Sequence, residues 1–118
     1  MAQNLKIIKN RTTFIHIKNN GVIFRGKCFN INYLEDSTLE NVIFVGYIVT
    51  KRIGNAVKRN KAKRLMREIA RKVLLKYGKI NSYYVLIAKN PIFKTNMNEQ
   101  ENQLKDLISW LWNILIVL

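Results

Sequence analysis

Two stretches of the chain are almost continuously apolar and lie on either side of a long, strongly charged segment. Residues 42–50 (VIFVGYIVT) and 83–88 (YYVLIA) are rich in β-branched and aromatic side chains. Runs of this length and composition are typical of strands that are covered on both faces. The pattern therefore predicts two central strands of one sheet.

Between residues 22 and 34 the pattern changes, and apolar side chains alternate with Arg, Lys and Asn. A period of two predicts strand structure with Phe29, Ile31 and Tyr33 on one face. A bend at Gly26 would split this region into two strands. The polar residues 35–41 are predicted to form the loop that leads to the first central strand.

Helical spacing first appears near the N-terminus. Leu5 and Ile8, followed by Phe14 and Ile17, predict a short amphipathic helix. The sequence Asn-Asn-Gly at residues 19–21 is a favourable helix end. We therefore expect this helix to precede the first strand.

Two longer helices are predicted further along the chain. The first covers residues 55–77 and stops at Gly78. The second covers residues 98–118, with Glu99 and Glu101 in its first turn, where the helix dipole favours acids. Its apolar residues recur with helical spacing at positions 104, 107, 108, 111, 115 and 118.

The predicted elements follow one another in the order α-β-β-β-α-β-α. A sheet with helices packed against one face is the economical way to bury these apolar surfaces, so the predicted fold class is α+β, a two-layer αβ sandwich. The chain has 118 residues and 48% hydrophobic content, which fits one domain over residues 1–118.

Charge is concentrated in one element. The chain carries 21 Lys and Arg against 7 Asp and Glu, a net charge of +14. Residues 51–76 hold 11 of the cations and a single acid, Glu68, and so contribute +10. Such a segment repels itself unless a polyanion is nearby. Nucleic acid or an anionic membrane surface is the expected partner.

The basic helix separates its charged surface from its apolar surface. At 100° per residue, a stripe roughly 100° wide is polar or cationic, and it contains Asn60, Lys63, Arg64, Arg67 and Arg71. The opposite side is apolar and contains Ala62, Leu65, Met66, Ile69 and Val73. One face is predicted to dock on the sheet and the other to face solvent, where arginines can pair bidentately with phosphate.

Three interpretations of the charged face compete. An ordinary solvated face would carry acids for ion pairs along the helix, and these are almost absent. A membrane-binding helix would expose bulky apolar residues, whereas here they are needed for the core. Nucleic acid is therefore favoured and no membrane partner is predicted. Charge alone does not choose RNA over DNA, and a ribosomal-protein-like RNA binder or a basic-helix DNA binder stays open.

Residues for catalysis or metal binding are scarce. The single cysteine, Cys28, and the single histidine, His16, cannot form a disulfide or a Cys/His metal site. The seven acids are scattered and form no carboxylate cluster typical of a nuclease. We therefore predict no catalytic or metal-binding residue. The first residues lack the apolar run of a secretory signal, so the cytoplasm is the expected compartment.

Residues 45–71, VGYIVTKRIGNAVKRNKAKRLMREIAR, resemble the signature of the protein subunit of bacterial ribonuclease P. The stretch contains counterparts of that family's strand, its K-K-x-G-x-A-V turn and its Arg-Asn-Arg helix. Residues 83–91, YYVLIAKNP, resemble the following strand of the family with its x-I-A-R-x-P ending. The resemblance covers residues 5–110, and its specific part is the central motif.

The resemblance implies a small αβ sandwich with an unusual left-handed βαβ crossover, an exception to the right-handed rule. It also implies a protein that binds a large catalytic RNA and helps it remove the 5′ leader from precursor transfer RNA. In that family catalysis belongs to the RNA and its bound Mg²⁺ ions, so this chain alone is not expected to be catalytic. The leader binds in a cleft between the first helix and the sheet.

The family motif and the charged stripe together define two sets of predicted binding residues. The set that meets the RNA subunit is Lys51, Arg52, Asn55, Arg59, Asn60, Lys61, Lys63, Arg64, Arg67 and Arg71. The set at the leader cleft is Phe14 and Lys18 on the first helix, with Asn32 or Tyr33 on the sheet side.

Some of these positions depart from the family pattern. Lys61 stands where a second arginine is usual, which keeps the charge and loses the bidentate geometry. Lys18 occupies a position that is often aromatic, which makes leader contact there more electrostatic. Phe14 could stack on leader bases or could equally be a core anchor for the first helix.

The C-terminal residues 107–118, LISWLWNILIVL, are more apolar than the tail expected of this family. A segment of 12 residues is too short to span a bilayer. The preferred interpretation is a core helix. Self-association through this apolar helix, by way of Trp110, Trp112 or residues 114–118, is the alternative.

Overall fold

The computed structural model describes residues 4–93 and 98–106, together with residue 109. Five strands form one sheet: β1 (Asn4–Ile7), β2 (Val22–Phe24), β3 (Phe29–Glu35), β4 (Val42–Ile48) and β5 (Ser82–Ala88). Their order across the sheet is β1-β4-β5-β3-β2. β1, β4 and β5 run parallel to one another. β3 is antiparallel to β5, and β2 is antiparallel to β3.

In the described part of the chain, three helices pack on this sheet. They are α1 (Arg11–Asn20), α2 (Ala56–Tyr77) and α3, the helical residues 98–106. Short 3₁₀ turns lie at Lys51–Ile53 and Asn90–Phe93. Because α2 connects the parallel neighbours β4 and β5, these three elements form one βαβ unit.

The main core lies between the sheet and α2. Alternate residues of β5, such as Tyr84 and Leu86, point to this side and pack against Met66 and Ile69 of α2. All four side chains are at most 1% exposed. Burial of Ala62, Met66, Ile69 and Val73 of α2 is what fixes the orientation of its charged face.

α3 lies on the same side of the sheet. Its Leu104 is fully buried in the main core, and Gln103 is bonded to the start of β3. The Gln103 Oε1 accepts a hydrogen bond from the Cys28 N–H at 2.7 Å, and its Nε2 donates to the Phe29 carbonyl at 2.9 Å. These two bonds attach α3 to the sheet.

A second, smaller core lies on the other face of the sheet, under α1. Its centre is Ile8, Ile17 and Val85, with Phe14 packed beside them. The predicted α+β fold on a single sheet is confirmed. The expectation of helices against one face holds for α2 and α3, whereas α1 covers the opposite face because β4 and β5 are apolar on both sides.

The helix boundaries follow the sequence signals closely, except at the N-terminus. α2 begins after its cap Asn55 and ends at Gly78, as predicted, and α1 ends at Gly21. Leu5, which the apolar spacing places in the predicted first helix, instead lies in β1. The reason is tertiary: β1 pairs with the edge of β4, whose peptide groups would otherwise lack partners on that side.

No helix within the described ranges is both long and apolar enough to cross a membrane. The predicted C-terminal helix is seen over residues 98–106. The apolar positions 107, 108, 111, 115 and 118, and the proposed self-association through Trp110, Trp112 or residues 114–118, lie outside the described residues.

Burial predicts different effects for two apolar residues of α2. Ile69 is fully buried and Leu65 is only half-buried. We expect Ile69→Ala to lower the free energy of unfolding by about 2–5 kcal/mol, the range for emptying a buried aliphatic site. Leu65→Ala should cost less than Ile69→Ala in urea unfolding of the two variants, and equal losses would contradict the packing described here.

Candidate nucleic-acid interface

A tight turn between β4 and α2 determines where the basic surface begins. Gly54 has a φ of 142°, a backbone conformation that residues with a side chain rarely adopt. Asn55 then caps α2, since its Oδ1 accepts a hydrogen bond from the Lys58 N–H at 3.0 Å. Lys51 and Arg52 lie exposed in this turn, at the amino-terminal end of α2.

The amino-terminal end of α2 is electrostatically positive in two ways. Its first turn contains no acidic residue, so the positive end of the helix dipole is not neutralised. Lys58 and Arg59 add full charges at the same end. This combination favours an anion such as phosphate.

The exposed face of α2 agrees with the predicted stripe. Exposed side chains on this helix include Asn60, Lys61, Arg64, Arg67 and Arg71, and Lys63 is partly exposed. On the opposite side, Ala62, Met66, Ile69 and Val73 are buried. The structure therefore brings six predicted residues of the helix onto one solvent-facing surface, which we call the α2 face: Asn60, Lys61, Lys63, Arg64, Arg67 and Arg71.

Several cations on α2 have partners within the fold. The Arg59 Nη1 donates to the Gly54 carbonyl at 2.7 Å, which closes the turn. Lys72 lies 3.3 Å from Glu101 and 3.8 Å from Glu68, so its charge is compensated. Lys61 lies 5.8 Å from the centre of the Phe93 ring. Of these three cations, only Lys72 is paired with acids among the described residues, so the charges of Arg59 and Lys61 are not compensated by its ion pairs.

The remaining cations of the α2 face have no acidic partner. In the described part of the chain, Lys63, Arg64, Arg67 and Arg71 of this face form no ion pair, and neither do Lys51 and Arg52 in the preceding turn. A row of exposed, uncompensated cations repels itself, and the repulsion is relieved when phosphates bind.

Tyr47 is a polar residue beside this face that sequence reasoning missed. It lines a cavity of about 330 Å³ together with Arg67 and Arg71. The Arg67 guanidinium lies 5.9 Å from the centre of its ring. Burial raises the pKa of Tyr47 to about 12, although both arginines act in the opposite direction. The phenol is therefore neutral at pH 7 and can donate a hydrogen bond.

The predicted leader-binding residues of α1 lie over the face of the sheet opposite to α2. Phe14 rests directly on β4 at Gly46, where an added Cβ would come within 2.6 Å of the Phe14 Cζ. Its ring is half-buried, so it anchors α1 and still presents part of its surface. Lys18, one turn further along, is exposed.

On the sheet side of this cleft, the two predicted residues point in opposite directions. Asn32 points toward α1 but is only 7% exposed, and its Oδ1 lies under Gly21. The prediction that Tyr33 lines the cleft is wrong. Its side chain points into the main core, because neighbouring strand residues face opposite sides of the sheet. Its ring meets Tyr84 edge-on at 5.1 Å, and its hydroxyl is 3.0 Å from the Ser82 Oγ.

Two aromatic residues on the face of the sheet that α1 covers, which we call the α1 face of the sheet, were not predicted as site residues. Phe44 and Tyr83 are neighbours across β4 and β5, and their rings stack with centres 5.4 Å apart. The sequence did contain a signal for them. Both strands are apolar at consecutive positions, so apolar and aromatic side chains are expected on the face under α1 as well as in the main core.

Within the described residues, no group of three His, Cys, Asp or Glu side chains could hold a metal ion. Cys28 is buried and forms no disulfide. The His16 Nδ1 lies 3.2 Å from the Nδ2 of Asn20 on the same helix.

Comparison with known proteins agrees with this geometry. The family model described as Ribonuclease P matches residues 2–111. The ribonuclease P protein component of Mycoplasma mycoides subsp. mycoides is 32% identical over 92 residues, covering 78% of this chain and 83% of the relative. The structure of the Staphylococcus aureus RNase P protein superposes with a TM-score of 0.75 at 26% identity, covering 89% of this chain and 94% of that chain.

A basic α2 face on a five-stranded α+β sheet is the arrangement expected of a nucleic-acid-binding protein. The family match, which extends over most of the chain, is more specific. The chain belongs to the ribonuclease P protein family, whose members are components of a ribonuclease that processes transfer RNA.

The contact between Phe14 and Gly46 can be tested by a double-mutant cycle. Gly46→Ala places a methyl group against the Phe14 ring and should lower stability by about 1–3 kcal/mol, as overpacking does. In a Phe14→Ala background the same substitution should cost much less, because the Phe14 clash is gone and the nearest remaining atom is the Ile8 Cδ1 at 3.3 Å. Equal effects of Gly46→Ala in both backgrounds, measured by urea unfolding, would show that Phe14 does not rest on this glycine.

Proposed function

We propose that this chain is the protein subunit of a ribonuclease P ribonucleoprotein, binding the catalytic RNA through its α2 face and the 5′ leader of precursor transfer RNA beside α1. The observation that carries the proposal is the row of cations on α2 that form no ion pair with an acid in the described part of the chain. Membership of the family supports the choice of RNA over duplex DNA.

The α2 face suits a folded RNA because its donors are spread along the helix. Arg64 and Arg71 project guanidinium groups that can pair bidentately with phosphates. Asn60 lies among them and can bond a phosphate, a sugar hydroxyl or a base edge. Lys61, where relatives have an arginine, supplies charge without the planar fork.

The cleft beside α1 suits a single strand. Phe14 offers part of a ring for stacking, and Lys18 offers a charge for the backbone. Asn32 contributes only the small part of its surface that is exposed. The leader contact that we propose here therefore depends mainly on Phe14 and Lys18.

In this proposal the protein binds and positions, and the RNA subunit performs the cleavage. The described residues contain no cluster of acids for Mg²⁺, so we propose that the RNA and the substrate hold the Mg²⁺ ions that cleavage requires. The working compartment would be the cytoplasm, where precursor transfer RNA is made in bacteria.

The test is multiple-turnover cleavage of a 5′-extended precursor transfer RNA by a bacterial ribonuclease P RNA at low Mg²⁺, with and without this protein. We expect stimulation by the protein and no cleavage by the protein alone. Cleavage without the RNA subunit would overturn the division of roles. Tight, sequence-selective binding to duplex DNA would instead favour a DNA-binding module that reads the major groove.

The α2 face can be tested separately by measuring affinity for the RNA subunit. Arg64→Ala and Arg67→Ala should each weaken binding about 10-fold. This is the lower end of the range expected for the loss of one hydrogen bond to a charged group. Each should also flatten the salt dependence by about 0.7 to 0.9 log unit per log of salt, for one lost phosphate contact.

Lys72→Ala is the matched control, because Lys72 lies on the same helix but is paired with Glu68 and Glu101. It should leave both the affinity and the salt dependence close to those of the unmodified protein. A loss as large as that of Arg64→Ala would mean that net charge, rather than the α2 face, determines binding.

A further inference from the structure

A cavity of about 580 Å³ opens on the α1 face of the sheet, next to the segment that joins β1 to α1. Thr13 of α1 lines it, whereas Phe14 and Lys18 do not. The proposed leader cleft does not account for this cavity.

The cavity has an aromatic wall. Phe44 and Tyr83 both line it, and their planes are 24° from parallel with centres 5.4 Å apart. Both residues are half-buried, so part of each ring is accessible. Accessible aromatic rings are the usual platform on which single-stranded nucleic acids stack their bases.

The rim of the cavity is cationic and polar. Lys6 and Lys9 line it, both are exposed, and neither forms an ion pair within residues 4–93, 98–106 and 109. Asn10 precedes the first turn of α1, yet its side chain makes no capping hydrogen bond, so its amide can bond a ligand. Ammonium groups suit phosphates, and an amide suits the edge of a base.

We propose that this cavity is a second binding site for single-stranded RNA, in which Phe44 and Tyr83 stack on a nucleobase while Lys6 and Lys9 bind the flanking phosphates. The choice of RNA as ligand rests on the proposed function. The cavity would be a second place, besides Phe14 and Lys18, where the protein contacts the substrate leader. It favours purine bases, because their larger rings offer more stacking area.

The direct test is binding of a short single-stranded oligoadenylate to the protein alone, followed by NMR of the Phe44 and Tyr83 ring protons. We expect these signals to shift on titration. Phe44→Leu and Tyr83→Leu should each weaken binding about 5- to 150-fold, which corresponds to one stacked base. An abasic oligonucleotide of the same length should bind the unmodified protein as weakly as oligoadenylate binds Phe44→Leu.

Tyr77→Leu is the matched control, because Tyr77 is an exposed aromatic at the end of α2, outside the cavity. It should bind oligoadenylate like the unmodified protein. Lys6→Ala with Lys9→Ala removes the cationic rim and leaves the aromatic packing intact, so it tests the site even if Phe44→Leu fails to fold. The site is overturned if the ring signals stay unchanged, or if folded cavity variants bind oligoadenylate like Tyr77→Leu.

Cleavage by the reconstituted holoenzyme separates this proposal from the proposed function. With a long leader, Phe44→Leu should raise KM; with the leader truncated to the nucleotides nearest the cleavage site, it should have no effect. If the holoenzyme cleaves neither substrate, the proposed function fails, and the oligoadenylate titration still decides whether the cavity binds RNA. Equal KM values for Phe44→Leu and the unmodified protein on the long leader would exclude the cavity from leader binding.

Discussion

Burial of the apolar side of α2 against β4 and β5 is the interaction on which the rest of the structure depends. Met66, Ile69 and Leu74 lose essentially all contact with water in this packing. Each such side chain contributes about 1.5–3 kcal/mol of transfer free energy, enough to outweigh repulsion between exposed neighbouring cations, which is a few tenths of a kcal/mol per pair. The hydrophobic side of the helix therefore holds an unfavourable array of charges in place.

The second constraint is that the sheet must be covered on both faces. β4 and β5 are parallel, are joined by α2 and carry apolar residues on either side, so α1 is needed over the face that α2 leaves open. Gly46 lets the Phe14 ring approach the backbone of β4 closely. α1 covers only part of that face, and Phe44 and Tyr83 remain half-exposed beside it. The same arrangement thus completes the core and leaves aromatic surface accessible.

Much of this could be predicted from local signals in the sequence. The limits of α2 follow from Asn55 and Gly78, and its charged face follows from the helical period alone. β1 could not be predicted in the same way, because the four residues Asn4–Ile7 become a strand only through pairing with β4. A segment that short fits both the helical and the strand period, so tertiary contact decides its conformation.

The site residues also fall into those that local sequence signals predict and those that depend on tertiary contacts. Arg64 and Arg71 are correctly predicted to be exposed because their positions depend on one helix. The choice between Asn32 and Tyr33 for the leader cleft depends instead on which side of β3 meets α1. Phe44 and Tyr83 become a pair only when β4 and β5 align in register. Sites carried by one helix are therefore accessible to sequence reasoning, and sites assembled across strands require the pairing of the sheet.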